Sequence, residues 1–271
     1  MKRTLYIKDT KNYQIKIDGP SLLVSKNNRS PRRVPYEYLD FVYIDYKQQI
    51  DPEILKDFIR FKKPAVITNL YKNDSLHLLP VTESGYFNET PQRLAVDKKI
   101  IRTAVHTFLI DKKRIIQLLA IKSFDKNLSK ALKNHSFTND EYLYYLMKFC
   151  NDERKKFFNT RRKFTDLFLG LISAKCIEAD LNPEVGIIND KKRLGFAYDI
   201  LIIIDPIMDV LTAKMLNYKN YKIFYNGNWL NDTGFKTVIA LFEKGKPIFS
   251  KLLEKYLNEI KQIITRIENE G

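Results

Sequence analysis

The sequence predicts an α+β protein: an N-terminal β domain with one covering helix over residues 1–85, then an all-α domain over residues 86–271. Two observations carry this. Up to residue 80 the apolar residues fall in short runs rich in β-branched and aromatic side chains, broken by turn residues. Beyond Pro91 they recur at helical spacing over long stretches with few glycines.

In chain order, "TLYIK", "YQIKI", "SLLVS" and "YLDFVYI" are strand candidates, separated by the turn-forming "DTKN", "DGP" and "NNRSP". In "DPEILKDFIRFKK", Asp51 suits an N-cap and Pro52 the first helical position. Ile54, Leu55, Phe58 and Ile59 then make one apolar face, so this is the covering helix. "PAVITNL" and "LHLLPV" read as buried strands. Helical spacing follows in "RIIQLLAIKSFDKNLSKAL", "EYLYYLMKFCNDERKKFF", "FTDLFLGLISAKCIEA", "RLGFAYDILIIIDPIMDVLTAKML" and "IFSKLLEKYLNEIKQIITRIENE". "EKGKP", at 243–247, reads as a turn between two helices. The boundary falls in "ESGYFNETPQ", residues 83–92, and no internal repeat or low-complexity tract is present.

The 271 residues are 44% hydrophobic, enough for a proper core. Cys150 and Cys176 form no CxxC pair, which excludes a zinc ribbon or disulfide framework and predicts a reducing, cytoplasmic setting. The N-terminus alternates polar and apolar residues, unlike a signal peptide. "ILIIIDPIM" is too short for a membrane span and contains an aspartate and a proline. No phosphate-binding glycine loop and no GxSxG elbow occurs. His77, His106 and His135 are scattered without ligand spacing, so they read as surface or packing residues.

Net charge is +15, and residues 98–193, with 21 basic against 11 acidic residues, carry most of it. That points to a polyanionic partner, against the alternative of a generally lysine-rich composition. "DERKKFFNTRRKF" interleaves Arg154, Lys155, Lys156, Arg161, Arg162 and Lys163 with Phe157, Phe158 and Phe164. The phenylalanines read as core and the charges as DNA-binding, together with Lys191, Lys192 and Arg193 in "NDKKR". This basic turn precedes a helix bearing Asp199, Asp205 and Asp209. Cations beside carboxylates suit metal-dependent phosphoryl transfer. Asp199 and Asp205 lie about 240° apart around the helix, whereas Asp205 and Asp209 share a face. Asp205 precedes Pro206, a position where a carboxylate often caps the following segment. Asp199 sits among apolar residues, an odd place for a carboxylate without a use.

The order of these phrases resembles the CRISPR-associated endonuclease and integrase of spacer acquisition, the "Cas-one" family. "DLNPEVGIIN" is similar to its GLDPxxGFLH, "LGFAYDILIIIDPIMD" to its sLxxDLxExFRPxxxD, and "RRKFTD" to its RRPPxD. "RIIQLLAIKSFDKNL" is similar to its Lys- and Asn-bearing first helix, and the stretch after the aspartate helix to the family's last segment. The resemblance spans nearly the whole chain. It implies an N-terminal β domain that dimerises, where edge strands need covering. It implies a helical domain that binds DNA and carries the family's metal centre. It also implies Mg or Mn as cofactor, attack of a 3′-hydroxyl on a phosphodiester, a homodimer, and a small ferredoxin-like CRISPR adaptation partner.

The family's metal ligands are a Glu, a His and an Asp, with a second acid three residues after the Asp. Here Asp199 fills the Asp position, Asn189 the His position, Ile202 the second acid and, read without gaps, Cys150 the Glu. Glu153 and Asp190 are possible substitutes. The expectation is a DNA-binding homologue, weakened or inactive in catalysis. An active nuclease or integrase with a site rearranged around Glu153, Asn189, Asp190 and Asp199 is one alternative. A non-catalytic protein-binding scaffold is another.

Overall fold

The computed structural model describes residues 2–7, 13–26, 29–45, 51–68, 75–80 and 90–270. The turn expected at 9–12 and the domain boundary expected at 85–86 lie outside the described residues. Strand β1 (Arg3–Ile7) begins a four-stranded sheet that continues with β5 (Leu39–Asp45), β6 (Ala65–Thr68) and β7 (Ser75–Leu78), in that spatial order. The first three are parallel and β7 is antiparallel to β6. A second, antiparallel sheet holds β2 (Tyr13–Asp18), β3 (Ser21–Lys26) and β4 (Arg29–Pro35).

Most strands fall where the sequence puts them. β4, "RSPRRVP", is an exception, because its Pro31 reads as turn chemistry. It pairs only with β3 and so forms an edge, where a missing N–H is tolerated. β7 corrects the expectation of a buried strand: it too is an edge, and Leu76 on it is 45% exposed.

Helix α1 (Pro52–Arg60) starts as its sequence dictates. Pro52 opens it and the Asp51 carboxylate accepts the Glu53 N–H at 2.9 Å. Ile54 and Phe58 are buried, Leu55 is half-buried, and Ile59 reaches the exposed rim.

β5 is buried along its whole length because both faces are covered. Strand alternation sends Val42 and Ile44 into a small core with Leu22, Tyr36, Ile54 and Phe58. It sends Phe41 and Tyr43 the other way, into the large core of the helices. One sheet is thus shared between the β-rich region and the helices.

The helices are α2 (Thr90–Asp97), α3 (Lys99–Lys122), α4 (Lys126–Lys133), α5 (Asn139–Met147), α6 (Arg154–Glu178), α7 (Gly195–Leu216) and α8 (Asp232–Glu270). α6 and α7 form the centre. Gly170 lets α6 approach the sheet: a Cβ there would meet the Phe41 ring at 2.6 Å. "EYLYYLMKFCNDERKKFF" is two helices, since a 3₁₀ turn at Lys148–Cys150 is followed by Asn151 and Asp152 in left-handed backbone, φ 51° and 55°. Conversely, "EKGKP" is no turn but part of the 39-residue α8. The reason is tertiary. Lys246 is fully buried there, with Nζ 2.7 Å from the Asp40 carboxylate and 2.8 Å from the Thr4 hydroxyl, which ties the helix to the sheet. Extended structure in the helical half, among the described residues, is limited to a hairpin of β8 (Tyr225–Asn226) and β9 (Trp229–Leu230). No described helix is long and apolar enough to cross a membrane.

Candidate functional site

The loop from Asn182 to Leu194 joins α6 to α7 and carries the basic turn. It is built around Asp199, fully buried on the first turns of α7. The Asp199 carboxylate accepts the backbone N–H groups of Ile187 (2.6 Å), Ile188 (3.0 Å) and Asn189 (2.9 Å), and the Asn189 Nδ2–H at 2.8 Å. Burial pushes the Asp199 carboxyl up and these donors pull it back part of the way. The buried Gln92 of α2 holds the loop's other end. Its amide N–H groups donate to the carbonyls of Asn182 (2.9 Å) and Val185 (3.0 Å), and its oxygen accepts the Asn182 N–H at 2.9 Å. Arg102 of α3 donates to the Ile188 carbonyl at 3.3 Å and pairs with Asp190 at 3.5 Å.

Asp205 and Asp209 share a face of α7, as their spacing predicts, and that face meets α6. Arg161 lies between them: Nη2 is 3.0 Å from Asp205 and Nε donates to Asp209 at 2.6 Å. Burial nevertheless pushes the Asp209 carboxyl up to about 6, against the pull of Arg161. The same burial, with Asp209 nearby, raises the Tyr142 phenol and holds the Cys150 thiol at about 12. Cys150 is buried and its Sγ–H faces the Leu146 carbonyl, so it is an inert core thiol.

These placements test the fit of a divalent metal. Ionised carboxylate oxygens offer about four lone-pair sites, and four donors already take those of Asp199. The Asn189 amide is turned donor-first toward the same carboxylate. Asp190 is engaged by Arg102. Glu153 is elsewhere: it accepts from Lys156 at 2.7 Å and from the Tyr221 hydroxyl at 2.8 Å, which together hold its carboxyl below the usual range. Cys150 lies with Asp209, ten residues or about 15 Å along α7 from Asp199. Across from Asp199 on α6 is Cys176, whose thiol is raised by burial and then by Asp199. No cluster of three His, Cys, Asp or Glu side chains that could hold a metal occurs among the described residues. The residues present do not fit the family's cation.

The expected DNA contacts separate into two groups. Lys155, Arg162, Lys191, Lys192 and Arg193 are exposed, and Arg193 also donates to the His77 carbonyl at 3.0 Å. The other three point inward. Lys163 is 2% exposed, with Nζ 3.4 Å from the Thr68 hydroxyl; Arg161 serves the aspartates; Lys156 is held by Glu153. A cleft of about 350 Å³ opens where α6 passes α7 and β7, lined by Phe158, Arg162, Thr165, Asp166 and Tyr198 among others. Phe157 and Phe164 are core, as expected, but Phe158 is 43% exposed. Gln92 and Arg102 escaped sequence reasoning because their loop partners lie some 90 residues away, and no local pattern links them.

Solved structures share this architecture at low sequence identity. A Cas1 protein from Thermotoga maritima aligns over 97% of this chain and 97% of its own, at TM-score 0.76 and 12% identity. A casposase bound to its integration product aligns over 98% and 91%, at TM-score 0.69 and 15% identity. TtCas1 in a complex with DNA aligns over 97% and 91%, at TM-score 0.59 and 11% identity. No protein-family model and no curated protein matches the sequence. With α2, α3 and α7 all holding the loop between α6 and α7 and a β-rich region sharing its sheet with the helices, the chain has the fold of the Cas1 proteins over nearly its whole length.

Proposed function

We propose that this protein is a divergent Cas1-type DNA-binding protein that keeps the integrase fold and has given up the metal centre. The observation that carries this is Asp199. The aspartate at the family's ligand position serves as the anchor of its own loop, and the loop it anchors presents Lys191, Lys192 and Arg193 to solvent. Those three, with Lys155 and Arg162, are the residues that would neutralise phosphates. The exposed edge strands β2 and β4 support a homodimer through the β-rich region. A small ferredoxin-like partner is part of the same reading. In this role the chain binds and orients DNA and contributes no strand transfer of its own.

Fluorescence anisotropy of labelled duplex and branched DNA across a salt series tests the binding. Affinity should fall steeply with salt, and Lys191→Ala/Lys192→Ala should flatten the log–log slope by about two units. A wild-type affinity indifferent to salt would instead favour a protein-binding scaffold.

A further inference from the structure

We infer that Lys63 is a site of covalent acylation, its amine lining a cavity that admits a small activated acyl group. The inference is independent of the DNA-binding reading. A cavity of about 340 Å³ opens where the two sheets meet the end of α1, lined by Pro20, Pro35, Tyr36, Glu37, Phe61 and Lys63. Its walls are fixed. Tyr36 is buried, its ring stacks on Phe61 at 4.3 Å between centroids, and its N–H donates to the Pro20 carbonyl at 3.0 Å. Two prolines and two aromatic rings leave most of the lining uncharged, which suits the hydrocarbon of an acyl group. Lys63 is the one cation among these lining residues, and the carboxylate of Glu37 is exposed.

Lys63 lies in the turn between α1 and β6, and its backbone is pinned. Lys62 before it takes left-handed backbone, φ 56°, and the Lys63 N–H donates to the Phe58 carbonyl at 2.7 Å. The side chain is half-buried, with Nζ donating to the Leu39 carbonyl at 2.8 Å. That partner is neutral. The carboxylates of the neighbourhood are committed to other lysines: Asp40 to Lys246 at 2.7 Å, and Glu178 to Lys175 at 2.7 Å and to Lys2. Burial, and then the Lys2 ammonium, push the Lys63 amine down, and Glu178 and Asp40 offset only part of that. A lysine desolvated in an apolar cavity beside another cation is an activated nucleophile. In the step, the ammonium first loses a proton to solvent. The nitrogen then attacks the acyl carbon. The N–C bond forms as the bond from that carbon to a phosphate oxygen or a thioester sulfur breaks, and phosphate or thiolate leaves with the electron pair. A second proton passes from the nitrogen to solvent, and the product is a neutral amide.

The full-length protein is incubated at neutral pH with acetyl phosphate and, separately, with acetyl-coenzyme A. Peptide mass spectrometry follows the acetylation of each lysine with time. Lys63 should react at least about threefold faster than the exposed Lys99 and Lys191. The donor that gives the larger ratio names the leaving group the cavity prefers. Unfolded in guanidinium chloride, Lys63 should react at the rate of the other two. Lys2→Ala removes the nearby cation, so it should slow Lys63 and leave Lys99 and Lys191 unchanged. Acetylation of Lys63 no faster than that of the two exposed lysines, with either donor, overturns the inference. So does a preference that survives unfolding, or one that does not fall in Lys2→Ala.

Discussion

Burial raises the carboxyls of both Asp199 and Asp209. Asp209 is buried against Arg161, and desolvation wins, holding its carboxyl near 6. A carboxyl held above its unfolded value keeps its proton to a higher pH in the native state than in the unfolded chain. Its contribution therefore favours folding below about pH 4 and is lost as pH rises through about 6. Urea unfolding of wild type and Asp209→Asn between pH 4 and 7 should show the wild type losing about 2–3 kcal/mol relative to the variant across that window. A rising difference would mean that Arg161 dominates. Asp205 and Asp209 lie on one face of α7, as their four-residue spacing predicts. Their partner, Arg161, is 44 residues from Asp205, and "RRKF" carries nothing that separates an internal guanidinium from an exposed one. Burial on α6 decides it, which is why Arg161 and Lys163 turn inward and Arg162 between them faces water.

At the scale of elements, the loop between α6 and α7 is held by backbone contact as well as by side chains. Gly195 opens α7 against Asn189. An added Cβ would meet the Asn189 carbonyl oxygen at 2.4 Å and the Gly186 Cα at 2.9 Å, both backbone atoms with nowhere to move. Gly195→Ala should therefore cost about 3 kcal/mol in chemical denaturation and should weaken duplex binding through the displaced Lys191–Arg193 turn. A stable variant with unchanged affinity would separate the loop from DNA binding. Local chemistry made several elements legible: the Asp51–Pro52 start of α1, the strands β1 to β3, and the periodic stretches of α3, α6 and α7. It failed where tertiary contact overrides punctuation. The Gly245 and Pro247 of "EKGKP" read as a break, yet the buried Lys246–Asp40 pair keeps that segment helical against the sheet. Pro31 and Pro35 disguise β4, which tolerates them because it is an edge.

For the whole molecule, the order of phrases along the chain was the most informative feature. It identified a fold that the solved Cas1 structures share at 12% identity or thereabouts. The ligand positions could be counted in the sequence, but the new task of Asp199 could not, since its partners in the loop are mostly backbone N–H groups that every residue possesses. The central claim is that Asp199 holds the loop and no longer holds a cation. Thermal unfolding of wild type and Asp199→Ala, each with and without millimolar Mn²⁺, tests it in one measurement. Removing the acceptor of four hydrogen-bond donors should cost about 3–5 kcal/mol and lower the midpoint by about 6–20 °C, at roughly 2–4 °C per kcal/mol. Mn²⁺ should leave the wild-type midpoint unchanged, because a ligand stabilises only a state it binds. A Mn²⁺-dependent rise in the wild-type midpoint that disappears in Asp199→Ala would contradict the account and restore Asp199 to a metal site.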